Sequence, residues 1–236
     1  NILGSKVIAD LSYEYKASRF IMISTDKAVR PTSVMGASKR IAEIYTQSLN
    51  ALNSTRFITT RFGNVLGSNG SVIPLFEKQI GKGGPLTITH PEITRYFMTI
   101  PEACQLVLEA SIMGHGGEIY IFDMGQSVKI VDLAKKMVKL SGLELGKDIQ
   151  ISFTGLRPGE KLYEELLSDQ ENTLPTHHPQ IMIAKVQQYD FEIIADKLIK
   201  LEQLAEAGQH QAIVKEMKAI IPEYRSHNSI YEALDI

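Results

Sequence analysis

Ser24, Thr25, Asp26 and Lys27, followed by Met35 and Lys39, are the residues of this sequence best suited to chemistry. A carboxyl and an amine at adjacent positions can supply an acid and a base side by side, and Lys39 adds a cation to the same space. Met35 and Lys39 are four positions apart, so on a helix they share one face and point at a common pocket. From residue types alone, a structural ion-pair cluster explains the group equally well.

Positioning these side chains requires a strand, a loop and a helix. The apolar run Phe20-Ile21-Met22-Ile23 predicts the strand, Pro31 marks the turn, and the segment from about Val34 to Asn53 predicts the helix. The polar cluster then lies at the carboxyl end of a sheet strand, where open α/β sheets bind ligands. Residues 2–16 show helical spacing with no cap before them, which implies that the chain starts inside an element. Residues 55–62 alternate as a β strand, completing a βαβ unit. A glycine-rich loop from Gly63 to Gly70 follows, and then a short helix stopped by glycines. Further strands are expected at 86–89, 118–122 and 149–153, and helices at 101–113, 130–140 and 162–167. Residues 169–180 read as a loop, and 191–221 as two amphipathic helices broken at Gly208.

The chain has 236 residues, 44% of them hydrophobic, enough for one large domain or one domain with an appendage. Its 25 basic and 27 acidic residues are scattered without a basic stripe, which argues against a nucleic-acid partner. The single cysteine, Cys104, excludes an intramolecular disulfide framework; it reads as a small buried residue in a reducing, cytoplasmic compartment. No run approaches the roughly 20 apolar residues of a membrane span, and no signal peptide opens the chain.

Three other signals are weaker. Gly63, Gly67 and Gly70 follow a strand, but their spacing differs from G-x-G-x-x-G and no acidic residue follows at the ribose position. The loop therefore serves either as an anion-facing backbone turn or as a plain surface turn. His177 and His178 are adjacent and lack companions at metal-ligand spacing, so no metal site is expected. Arg95 and Arg157 stand in non-helical settings where a guanidinium could grip a diphosphate, with Glu160 free to accept from a ribose hydroxyl; two solvated arginines are the plainer reading.

Four ordered motifs carry a resemblance. STDKAVRPTSVMGASKR, RFGNVLGSNGSVIPLF, THPEITRYFMTIPEA and GLRPGEKLYEELL are similar to those of the nucleotide-sugar 4,6-dehydratases of bacterial polysaccharide biosynthesis, in the extended short-chain dehydrogenase/reductase superfamily. The branch they most resemble is the membrane-anchored, CapD-like UDP-N-acetylglucosamine 4,6-dehydratases. The resemblance implies an α/β fold, an incomplete Rossmann-like doubly wound parallel sheet with a smaller α/β substrate-binding subdomain. In those terms residues 1–62 form mainly the Rossmann portion, 63–190 mainly the substrate-binding portion and 191–236 the C-terminal helices.

Carried over by position, Thr25 matches the active-site Ser/Thr, and Asp26 and Lys27 match the acid and base. Lys39 matches the lysine that holds the nicotinamide ribose. Met35 replaces the tyrosine of the superfamily's Tyr-x-x-x-Lys pair, as it does in this branch. A thioether cannot usefully accept a proton, so Asp26 or a bound water must do so in a catalyst. Asn64 matches a sugar-diphosphate contact, Arg95 and Arg157 match phosphate-binding arginines, and Glu160 matches the uridine-ribose residue. The implied reaction uses NAD or NADP and a UDP-sugar: oxidation at C4, loss of the C5 proton to Lys27, departure of the C6 hydroxyl as water and return of hydride to C6. To act as a base, Lys27 must be neutral, a state that a nearby Lys39 would favour.

In the resembling family the Gly-rich phosphate turn and the membrane anchor precede the position of Asn1. The expectation is therefore weak or absent cofactor binding by these residues alone, and a homodimer built on helices matching 2–16 and 34–53. The full-length protein is expected in the cytoplasm or anchored to the inner membrane facing it. An epimerase of the same superfamily and a non-catalytic sugar-nucleotide-binding or assembly domain are the alternatives.

Overall fold

The structure is a computed structural model that describes residues 1–165, 173–184 and 187–235. Helix α1 (Ile2–Glu14) leads into strand β1 (Arg19–Thr25), whose last residue caps a short 3-10 turn over Asp26–Ala28. Ser33 opens helix α2 (Val34–Leu49) by accepting a hydrogen bond from the Gly36 N–H at 3.1 Å. Strand β2 (Arg56–Phe62) then pairs in parallel with β1 in exact step, Arg19 opposite Arg56 through Thr25 opposite Phe62.

Strand β3 (Asn64–Val65), helix α3 (Val72–Gly81), and strands β4 (Leu86–Ile88), β5 (Thr94–Arg95) and β6 (Phe97–Met98) follow. Helix α4 (Ile100–Met113) opens on a reciprocal cap between Thr99 and Glu102, with Pro101 in the first turn. Strand β7 (Ile119–Phe122), strand β8 (Val128–Lys129), helix α5 (Ile130–Leu140) and strand β9 (Ile151–Phe153) lead to strands β10 (Thr173–Pro175) and β11 (Ile181–Ala184). Helices α6 (Phe191–Glu206) and α7 (His210–Ile220) close the described chain apart from a short 3-10 turn near the end.

The main sheet has the order β1-β2-β7-β11-β10. β1, β2 and β7 pair in parallel, whereas β11 pairs antiparallel with both β7 and β10, so the expected parallel sheet is mixed at that end. Strand alternation gives the sheet two apolar faces. Phe57 joins a core with α2, α6 and α7, while the next residue, Ile58, joins one with Leu106 and Ala110 of α4. Helices thus cover both faces, the doubly wound arrangement. A third core is built by Phe76 of α3, Leu86 and Ile88 of β4, and Ala134 and Val138 of α5. Among the described residues, three two-stranded ladders, β3/β6, β4/β9 and β5/β8, lie outside the main sheet and carry the cleft residues described below. β7 and β11 return to the main sheet from within 63–190, so that stretch is not purely an appended lobe.

Three further sequence expectations change. Leu162–Glu165 is not helical: Leu162 and Tyr163 form a bend, and the Leu162 carbonyl accepts from Thr94 N–H, which ties this segment to β5. Residues 166 and 167 of that expected helix lie outside the described residues. The expected loop at 169–180 contains β10, and β11 follows it; residues 169–172 lie outside the described residues. Cys104 is exposed, because the buried stripe of α4 runs through Ala103, Leu106 and Ala110 and leaves Cys104 on the opposite side. Among the described residues, no helix is long and apolar enough to cross a membrane.

Candidate active site

The carboxyl end of β1 delivers Thr25, Asp26 and Lys27 to one point. Asp26 is fully buried; its Oδ1 accepts from Thr25 Oγ1 at 2.8 Å and from Lys27 Nζ at 2.9 Å. Its Oδ2 is buried against the Gly63 backbone and has no hydrogen-bond partner among the described residues. Lys27 is one-quarter exposed and donates to Asn64 Oδ1 at 3.2 Å, with Glu164 Oε1 3.9 Å away. Helix α2 packs unusually close behind this turn: a Cβ on Gly36 would lie 2.2 Å from the Lys27 carbonyl oxygen, so only glycine fits.

A cleft of about 720 Å³ opens in front of Lys27, lined by Met35, Asn64, Arg95, Arg157 and Glu160 together with the Ser68–Ser71 loop and Thr87–Thr89. A smaller recess of about 330 Å³ shares Lys27, Met35, Arg95, Arg157 and Glu160 and adds Thr32, Ser33, Lys161 and Glu164. A cleft of several hundred cubic ångströms with a few convergent polar groups is the usual form of a small-molecule site. The glycine-rich loop lines it, with Gly67 and Gly70 at positive φ and open space where a side chain would stand.

Arg95 is nearly buried. Its Nη2 lies 3.3 Å from Glu160 Oε1, its Nε 3.7 Å from Glu164 Oε1, and its Nη1 donates to the Thr94 carbonyl at 2.7 Å. Glu160 also accepts from Thr89 Oγ1 at 3.1 Å and from the Arg157 N–H at 3.0 Å. Three of roughly four acceptor positions of its carboxylate are therefore used, leaving room for one further hydroxyl. Gly159, at φ +74°, lets the loop press against Ser33 of α2's cap, and its carbonyl accepts from Thr32 Oγ1 at 2.9 Å. Lys161 anchors the same loop by donating to the Val29 carbonyl at 2.9 Å, while Arg30 and Lys161 both pair with Glu165.

Burial pushes the Glu164 carboxyl up; Lys27 and Arg95 pull the other way and Asp26 adds to the rise, and the net shift is upward. Its Oε2 is buried without a hydrogen-bond partner among the described residues. The sequence displays Glu164 inside the GEKLYEELL motif but gives no sign that it, rather than Glu165, turns toward Lys27.

Of the residues singled out in the sequence, Lys27, Met35, Asn64, Arg95, Arg157 and Glu160 meet at one cleft. Thr25 and Asp26 stand behind Lys27. Lys39 points elsewhere: its Nζ donates to the Ile23 carbonyl at 3.2 Å, on the outer face of β1. Lys27 therefore has Asp26 and Glu164 as its carboxylate neighbours, and Lys39, absent from the lining of both recesses, does not supply the neighbouring positive charge expected of it. Met35, 46% exposed, lines the cleft together with Lys27. Among the described residues no three His, Cys, Asp or Glu side chains form a metal-holding group. His178 instead closes a turn, its Nδ1 accepting from the Gln180 N–H.

The ledge around Lys39 also allows a test of the cofactor that this architecture implies. An ammonium has three donors, and Lys39 uses one on Ile23. The remaining donors, on an exposed strand edge beside Met35, suit the paired hydroxyls of a nicotinamide ribose. The described residues thus fit the nicotinamide end of such a cofactor.

Comparison with known proteins gives the following. A family described as "Polysaccharide biosynthesis protein" matches residues 1–186. The capsular polysaccharide biosynthesis protein CapD of Staphylococcus aureus is 57% identical over 203 residues, covering 84% of this chain and 34% of that protein. A UDP-glucose 4-epimerase of Rickettsia canadensis is 39% identical over 174 residues, 72% of this chain and 50% of that protein. The X-ray structure of Pen from Bacillus thuringiensis superposes with a TM-score of 0.68 at 35% identity, covering 78% of this chain and 58% of that one. The chain spans about a third to a half of the length of the curated relatives it matches.

Proposed function

The chain belongs to the polysaccharide biosynthesis protein family, and from that premise we propose that it carries the reaction centre of a nucleotide-sugar-modifying enzyme, a 4,6-dehydratase acting on a UDP-N-acetylhexosamine. The observation that carries the reading is the convergence of Lys27, Asn64, Arg95, Arg157 and Glu160 on one cleft at the carboxyl end of β1, with Asp26 hydrogen-bonded to Lys27 behind it. A base, two guanidinium groups and an acceptor carboxylate match the needs of an acidic sugar, a diphosphate and a ribose in turn.

In this reading Arg157 and Arg95 bind the diphosphate and Glu160 accepts from the uridine ribose. Asn64 orients the sugar and fixes Lys27 through their mutual hydrogen bond. Lys39 would hold the nicotinamide ribose of NAD or NADP, which when bound supplies the hydride acceptor for C4 and returns hydride to C6. The C4 ketone makes the C5 proton acidic, and Lys27 removes it. Asp26 lies behind Lys27 with Thr25 and does not line the cleft, so as the acid of this reading it delivers its proton through a water bound in the cleft. Met35 takes no proton; it walls the sugar position together with Lys27.

Incubating the full-length protein with UDP-N-acetylglucosamine in deuterium oxide tests this. The expected product has lost one water and carries deuterium at C5. A product of unchanged mass inverted at C4 would support the second reading, a 4-epimerase, which the similarity to the Rickettsia canadensis protein favours. Binding of the UDP-sugar without cofactor reduction would leave a non-catalytic binding domain.

A further inference from the structure

From the placement of Glu164, and resting on the assignment of Lys27 as the C5 base, we infer that Glu164 is the positioning residue that relieves Lys27 of its proton. The structure poses the problem directly. Lys27 makes its contacts with Asp26, Asn64 and Glu164, and Lys39, which donates to the Ile23 carbonyl, is not among them. A lysine so placed needs a proton acceptor in reach.

Asp26 is poorly suited to that task, because its Oδ1 is already the shared acceptor of Thr25 and Lys27 and its unpartnered Oδ2 faces the Gly63 backbone. Glu164 is better placed. Its side chain is 3% exposed, its Oε1 lies 3.9 Å from Lys27 Nζ, and its Oε2 has no hydrogen-bond partner among the described residues. A buried carboxylate with an unpartnered oxygen costs free energy that a proton removes. The charged and titratable groups facing it are Lys27, Asp26, Arg95 and Lys161. Burial and Asp26 both favour the protonated carboxyl, whereas the three cations oppose it, and the upward net shift agrees with a group able to keep a proton once it has one.

The step balances. Rotation about the terminal torsions of Lys27, which has room because it is partly exposed, brings Nζ to Oε1. One Lys27 N–H bond breaks and a Glu164 O–H bond forms. The lone pair left on Lys27 then takes the C5 proton, and the electrons of the C5–H bond pass into the enolate of the C4 ketone. After C5 is reprotonated from Lys27, the amine recovers its first proton from Glu164. In a coupled pair sharing one proton, the neutral tautomer is reached by transfer within the pair.

The test is the pH dependence of C5 deuterium incorporation in the full-length protein. Wild type is expected to show a plateau in exchange rate across neutral pH, because the shared proton moves within the pair. Glu164→Gln should slow exchange by at least about tenfold at pH 7 and replace the plateau by a steady rise with pH, since Lys27 then loses its proton only to solvent. Glu164→Asp should restore part of the plateau. A Glu164→Gln profile parallel to wild type, lower by one factor at every pH, would mean a purely structural role and overturn the inference. Should Glu164→Gln fail to fold, Glu164→Ser, which has no carboxyl, takes its place, and a plateau preserved in that variant overturns the inference equally. Lys27→Ala separates the two levels: exchange that survives in that variant removes the base assignment itself, whereas its loss alongside an unaltered Glu164→Gln profile removes only the role of Glu164.

Discussion

Glu43 and Arg61 meet in a two-point contact with both side chains fully buried, Arg61 Nε to Glu43 Oε1 at 2.8 Å and Arg61 Nη2 to Oε2 at 2.7 Å. Arg40 adds a third bond, Nη1 to Oε2 at 2.9 Å. Arg61 lies opposite Ser24 in the β1/β2 register, so this contact fastens α2 to the sheet directly behind Thr25, Asp26 and Lys27. Burial alone would push the Glu43 carboxyl up, but Arg61 and then Arg40 outweigh it and bring it down to about 2.

Breaking that contact from one side should be costly. Arg61→Met leaves the buried carboxylate with Arg40 as its remaining cation and is expected to lower stability by about 3 kcal/mol, whereas Arg61→Met with Glu43→Leu should recover much of the loss. The pH dependence has a definite sign. The folded-state value of Glu43 lies below its unfolded one, so its contribution is complete above about pH 4.5 and is lost as pH falls toward 2. Urea midpoints at pH 7, 4 and 3 measure this, and the double variant should lose less stability across that range than wild type. Equal acid sensitivity in the two proteins would show that other carboxylates control it.

Two glycines should respond oppositely to alanine. At Gly36 a methyl group would meet the Lys27 carbonyl, so Gly36→Ala must push α2 away from the turn that holds Lys27. Overpacking of this kind costs about 1 to 3 kcal/mol, and dehydration by the full-length protein should fall further than that loss of fold alone explains. At Gly4, on the exposed side of α1, an added methyl meets nothing within 4 Å. Gly4→Ala should therefore stabilise the protein by roughly 0.5 to 1 kcal/mol without altering turnover. Thermal melts and product assays on both variants check this; a Gly36→Ala protein with full activity would show that the close approach has no functional part.

Asn64 should matter to chemistry more than to folding. Its Oδ1 accepts from Lys27 and its Nδ2 donates to the Tyr96 carbonyl at 3.3 Å, both at the partly open edge of the cleft. Asn64→Asp preserves shape but sets a further anion against Lys27, which holds the ammonium more firmly. The expected result is a fall in C5 exchange of roughly tenfold or more with a melting temperature close to wild type. Calorimetry and deuterium incorporation measured on the same preparation separate the two effects.

These outcomes depend on features that differ in how plainly the sequence carries them. The α5 helix is legible end to end because its apolar residues keep one strict face, and the βαβ unit around α2 because β-branched runs flank a capped helix. β10 is hidden because Pro175 argues against a strand, yet β10 is the outermost strand of the sheet, where the missing N–H of proline costs no ladder bond. The site was readable as residue types, since Asn64, Arg95, Arg157 and Glu160 stand in motifs whose order is itself informative. Directions were not. Whether Lys39 faces Lys27 depends on the close seat of α2 at Gly36, and whether Glu164 faces Lys27 depends on the Thr94 to Leu162 bond; both are contacts between segments distant in sequence.

Met35 provides the sharpest separation of packing from proton transfer. It lines both recesses and is nearly half exposed. If it only shapes the sugar position, Met35→Leu conserves volume and apolar character, and kcat/KM should stay within about threefold of wild type, with stability changed by less than about 1 kcal/mol. Met35→Tyr brings a hydroxyl into the same space, where it can reach the sugar but competes with the proton path from Asp26. In that variant C4 oxidation, followed as cofactor reduction, should persist while water loss slows. Steady-state kinetics on Met35→Leu decides the matter: a fall of more than tenfold would mean that the thioether makes a specific contact in the transition state that leucine cannot reproduce, and the role of Met35 as a wall would have to be given up.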